Sequence, residues 1–176
     1  MTGTVEEMTV MKAITIWQPW ASLWVCGAKQ FETRSWATSY RGPIAIHAGK
    51  ILCHRFSCEV DGNTFAPAVN AALWPGEKFT DSTCELDTWH ELPRGAVIAT
   101  AELVGCHKIV RHGGRGLPAD GPGWLETDHG IYEPTDQELL FGDWTPGRYA
   151  WEITNIKLLD APVPAKGKQR LWNWAA

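Results

Sequence analysis

The sequence has no Walker-type phosphate loop, no G-x-S-x-G and no H-E-x-x-H, which removes the common nucleotide-hydrolase, serine-hydrolase and zinc-protease readings. It also has no C-x-x-C. Its cysteines, Cys26, Cys53, Cys58, Cys84 and Cys106, form an odd set, which argues against a disulfide framework and for reduced thiols in a cytoplasmic protein. Cys53, His54, Cys58, Cys84 and His90 do not have the spacing of a known zinc knuckle, so no metal or other cofactor is expected. No apolar run approaches the length of a membrane span, and the acidic stretch Met1 to Val10 lacks the basic start and apolar centre of a secretory signal. No membrane partner is expected. Positive charge is also scarce, with 16 Lys and Arg against 20 Asp and Glu and a net charge of −4. That balance argues against a broad electrostatic grip on nucleic acid and leaves room for a local basic patch.

What remains is a chain of 176 residues, 44% hydrophobic and 20% charged, long enough to bury a sizeable core without covalent help. The expected organisation is one domain over residues 11–176 with residues 1–10 as an extension. Eleven tryptophans are the main compositional anomaly. Most should be packing residues, because an indole buries a large area and needs one partner for its N–H. A few can serve as stacking platforms for bases.

The densest chemistry lies in Gly27-Ala28-Lys29-Gln30-Phe31-Glu32-Thr33-Arg34. Gly27 reads as a left-handed stop for a helix spanning Pro19 to Cys26. If the chain is extended from Phe31, alternation sets Glu32 and Arg34 on one face, and Lys29 joins them from a turn. The same spacing also suits a solvated salt bridge on a surface strand.

Met11 to Trp17 alternates and reads as a first strand, and Ile44 to Ala48 as a strand buried on both faces. His47 ends the latter, as a core group or as a proton carrier. Lys50 to Pro93 reads as an insertion with short helices at Ala66 to Trp74 and Glu85 to His90. Ala96 to Val104 reads as a central strand and Arg148 to Leu159 as a closing strand. Between them, residues 112–147 form a long Gly- and Pro-rich excursion, a rim, lid or protein-docking surface, in which Thr135 and Glu138 make a capping box. Near the end, Lys166, Lys168 and Arg170 form a compact basic patch that Leu171, Trp172 and Trp174 can pin to the fold.

Gly27, Lys29, Glu32 and Arg34 match the G-x-K-x-x-E-x-R motif, and Ile14 to Ala48 as a whole resembles the ASCH domain, a family of small barrels similar to the RNA-binding PUA domains. The W-Q-P-W-A-S-L opening and the R-S-W after the motif look like the ASCH domain of the activating signal cointegrator, a transcription coactivator. The resemblance implies an α+β fold, a small mixed β-barrel flanked by helices, and binding of a nucleotide, of RNA or of single-stranded DNA in a cleft. Lys29 and Arg34 would meet phosphate or a base edge, Glu32 would accept from an exocyclic amine, and Trp17, Trp36 or Tyr40 would stack. Lys166, Lys168 and Arg170 would add phosphate contacts.

An enzymatic alternative is also implied, since some similar proteins cleave RNA and others remove the acetyl group of acetylcytidine. Lys29, Glu32 and His47 are then the candidate catalytic residues, Lys29 stabilising developing phosphorane charge and Glu32 or His47 moving a proton. The deacetylating members have threonine at the position of Glu32, which speaks against that activity here. A coactivator-like scaffold is the third reading.

Overall fold

The computed structural model describes residues 10–52, 64–77, 86–111 and 121–175. The expected extension therefore lies outside the described residues except for Val10, which opens strand β1 (Val10–Gln18). Gln18 turns the chain. Its Oε1 accepts from the Ser22 N–H at 3.1 Å, and its Nε2 donates to the Pro93 carbonyl at 2.9 Å. One side chain thus satisfies a donor in the first turn of helix α1 (Trp20–Val25) and ties that turn to a distant segment. Pro19 is the N-cap residue, just outside the helix. Gly27, at φ +81°, ends the turn that follows, as its sequence position suggests.

The chain then forms β2 (Phe31–Arg34), β3 (Gly42–Leu52), α2 (Phe65–Leu73) and α3 (Leu86–Trp89). Next come β4 (Ala96–Val110), β5 (Trp124–Thr127), β6 (Gly130–Tyr132), α4 (Asp136–Phe141), β7 (Tyr149–Pro164) and β8 (Leu171–Ala175). β4 and β7 run past the expected ends at Val104 and Leu159, to Val110 and Pro164. Their ladder carries register shifts between Val97 and Ala99, Thr100 and Glu102, and Leu103 and Gly105, which let a long pair bend.

The main sheet runs β2-β7-β4-β3-β1-β8, with β1 and β3 parallel and the other pairs antiparallel. This is the α+β arrangement of a barrel-like sheet flanked by short helices, although its ladder does not close. Instead, the Arg34 guanidinium on β2 donates to the Thr15 carbonyl on β1 at 3.1 Å. The first strand and the motif strand, which do not pair through their backbones, are therefore linked by a side chain.

Ile14, Ile16, Ile44, Ile46, Leu103 and Trp151 form the central core. A second cluster, Leu23, Phe65, Val69, Trp89 and Phe141, joins α1, α2, α3 and α4. The described part of the apparent insertion is therefore structural, and burying each such large side chain contributes on the order of 1.5–3 kcal/mol. Among the described residues, no helix is long and apolar enough to cross a membrane.

Candidate functional site

The turn after Gly27 sets the Lys29 N–H on the Leu23 carbonyl at 3.0 Å and points the Lys29 side chain inward, where only 2% of the residue remains exposed. Its Nζ lies 2.5 Å from Glu32 Oε2. Arg34, two residues along the strand and on the same face, brings its guanidinium to 3.0 Å from Glu32 Oε1. The expected triad is assembled, with each carboxylate oxygen held by a different cation. Burial alone would raise the Glu32 pKa, but the charges of Lys29, Arg34 and Arg148 and the hydrogen bond from Lys29 outweigh it, so the carboxyl sits below its ordinary value.

Above this pair opens a cleft of about 320 Å³, walled by Trp17, Trp20, Phe65, Leu140 and Phe141. Lys29 and Glu32 lie at its polar floor, and Thr33 and Asp143 add polar lining. A second groove, about 420 Å³, lies on another side of Trp17 and is lined by Thr15, Arg34, Trp36, Lys168 and Arg170. There the Arg170 guanidinium stands 5.6 Å over the Trp36 ring, which in turn packs edge-on against Trp151 at 4.6 Å. Trp17, 49% exposed, is shared by both spaces.

A family model for the ASCH domain matches residues 14–157. The chain belongs to the ASCH domain family. ASCH domains are in general RNA-binding domains of PUA-like fold. No curated protein matches the chain.

In this ASCH domain the motif turn is clamped by the excursion between β4 and β7. Glu138 Oε1 accepts from the Gln30 N–H, Gln137 Nε2 donates to the Ala28 carbonyl at 2.5 Å, and the Tyr132 hydroxyl donates to Gln30 Oε1 at 3.3 Å. Thr135 does cap α4, its Oγ1 accepting from the Glu138 N–H at 3.2 Å. The Glu138 carboxylate, however, turns away to Gln30, 108 positions earlier. Sequence reasoning finds the cap and misses this role, for which no local signal exists. The described part of the expected rim is thus a wall and a clamp, while residues 112–120 lie outside the described residues.

The remaining expected site residues separate. Trp36 joins the second groove, whereas Tyr40 packs on the core and donates its hydroxyl to the Pro43 carbonyl at 2.6 Å, lining neither space. His47 sits beside Thr15 on the neighbouring strand, with Nε2 3.1 Å from the Ala165 carbonyl and its ring edge-on to Trp172. Burial lowers its pKa, the Ala165 contact notwithstanding, and it does not line the Lys29–Glu32 cleft. Lys168 lies 6.0 Å from the Trp172 ring, and β8 pins this region as expected. Among the described residues, no group of three His, Cys, Asp or Glu is arranged to hold a metal ion. Of the cysteine and histidine residues weighed for zinc, only His90 is described.

Glu32 and Glu138 shift in opposite directions, which gives a pH signature. Burial raises the Glu138 pKa despite the Gln30 and Phe31 N–H groups and Lys29, so the native state binds its proton more tightly than the unfolded chain. Its stabilising contribution is present below the ordinary value of 4.5 and is lost as pH rises through the raised one. Glu32 works the other way, stabilising above 4.5 and losing that contribution as pH falls through its lowered value. Glu138→Gln is expected to remove the downward slope of stability above pH 4.5 while keeping the acid loss due to Glu32, measured by urea unfolding at several pH values. An unchanged slope would show that Glu138 titrates normally.

Proposed function

We propose that this ASCH domain binds a nucleotide or a short single strand, RNA foremost, by drawing one base into the cleft above Lys29 and Glu32. The supporting observation is the buried Lys29–Glu32 pair at the floor of an aromatic cleft, with a cationic groove on the other side of the same tryptophan. Trp17 and its neighbours offer π-faces to a base, Lys29 a donor and Glu32 an acceptor to its polar edge, and Arg34, Lys168 and Arg170 meet phosphate. Affinity then comes from stacking and directed hydrogen bonds, which a net charge of −4 does not oppose. A titration of the wild-type protein with single-stranded RNA, followed by tryptophan fluorescence, tests this directly. The expected result is saturable quenching, and a signal that mononucleotides and RNA both leave unchanged would reject the cleft.

Hydrolysis of RNA or of a modified nucleoside is the second reading. A carboxylate held ionised between two cations is a weak base, and Lys29, ion-paired to Glu32, is placed as an anion clamp. A carboxylate attacking an amide would also pass through a reactive anhydride. Acetylcytidine is therefore expected to be hydrolysed slowly or not at all, without an acyl-enzyme. Cytidine release and rapid-quench mass spectrometry on wild type and Glu32→Thr check this. Fast wild-type turnover with one acetyl group on the protein would overturn it.

A further inference from the structure

Residues 165–170, between β7 and β8, cross the sheet as a strap laid on His47 and Thr15. A methyl group on Gly167 would stand 2.5 Å from His47 Cε1 and 2.9 Å from Thr15 Oγ1, so the strap reaches this depth only with glycine there. Along the strap runs a further groove of about 390 Å³, bordered by Lys50, Lys166 and Lys168 with His47 and Gly49 beneath. It shares Thr15, Trp17, Lys168 and Gln169 with the groove that holds Arg34 and Arg170, so the two spaces are neighbours.

Among the described residues, no carboxylate lines either groove. Among the described residues, no ion pair engages Lys50, Lys166, Lys168 or Arg170. In a chain with more acids than bases, this is a local concentration of unpaired positive charge beside an exposed tryptophan. Thr15 pairs with His47, and Lys50 lies three residues further along β3, about 10 Å, or on the order of three stacked bases at about 3.4 Å each.

We infer that the strap groove is a second phosphate-binding segment, along which a single strand entering the base cleft continues past Arg34, Arg170 and Lys168 to Lys50. This rests on the nucleic-acid reading above and deepens it, because it makes the ligand a strand and not one nucleotide. The cations meet phosphate oxygens and carry no base readout, so the segment is indifferent to sequence.

The test compares wild type, Lys50→Ala and Lys50→Arg against mononucleotides and a mixed-sequence RNA of four nucleotides, each over a range of salt concentrations, with melting temperatures alongside. Wild type is expected to bind the tetranucleotide more tightly than any mononucleotide. Lys50→Ala should lose part of that gain and flatten the tetranucleotide's salt slope by about 0.7, the value for one contact on a single strand, while Lys50→Arg keeps it. Equal wild-type affinity for both lengths, or an unaltered slope in Lys50→Ala, would overturn the segment and leave the base cleft standing. Equal flattening in Lys50→Arg would assign the effect to the packing of the Lys50 stem on Gly95 and also overturn it. A wild-type protein that binds neither ligand overturns the cleft and the segment together.

Discussion

Glu32→Gln is expected to destabilise the domain by about 3–5 kcal/mol, because it keeps the shape of the side chain but leaves the Lys29 ammonium buried without its anion. The size of the loss reflects the desolvated charge left behind and exceeds the net value of the pair itself. Lys29→Met alone should cost less, since Arg34 still holds Glu32. The double variant Lys29→Met/Glu32→Gln should recover part of the loss, giving a coupling of opposite sign to the single effects. Denaturant unfolding of the four proteins measures this cycle. Additive losses would mean that the pair is hydrated and contributes as a surface bridge does. The burial of Lys29 makes the fold and the site depend on the same charge pair.

Trp17→Ala should separate binding from folding. Half of the residue is exposed, so its loss should leave the melting temperature near that of wild type. The affinity for single-stranded RNA should fall by about 1–3 kcal/mol, the value of stacking one base on an aromatic side chain, or on the order of 5- to 150-fold. Trp24→Ala is the contrasting control. Trp24 is fully buried and donates its ring N–H to the Gln30 carbonyl at 3.2 Å, so its truncation should cost about 3–5 kcal/mol of stability. Fluorescence titration and thermal melting of both variants check the pair. Undiminished RNA affinity in a folded Trp17→Ala protein would remove Trp17 from the interface.

Between these residues lies the reason the motif can be stiff. The turn from Ala28 to Phe31 is held from outside by Gln137 and Glu138 and from within by Leu23 and Trp24. Lys29 is thus positioned by backbone contacts on both sides, which keeps a polar floor in register with aromatic walls that belong to other elements. Asp143 extends the same bracing, its N–H donating to Thr33 Oγ1 at 3.0 Å and its carboxylate pairing with Arg148 at 3.2 Å.

The sequence by itself determined the parts set within a turn or two of the chain. Gly27 ends α1 because it alone accepts a left-handed φ without a side-chain clash, Glu32 and Arg34 share a face because strands alternate, and Thr135 caps α4 because its hydroxyl reaches the next turn. The tertiary structure decided which of the chemically equivalent residues meet. Trp17 and Trp24 lie in the same aromatic stretch, yet Trp17 on β1 is half exposed while Trp24 on α1 is fully buried in the central core. Tyr40 spends its hydroxyl within its own turn and His47 lies under the strap, while Phe65 and Glu138 arrive at the motif from remote segments. Local rules act through dihedrals and side-chain period, whereas these pairings depend on burial and on partners up to 118 residues away, which only the packing of the sheet against its helices brings together.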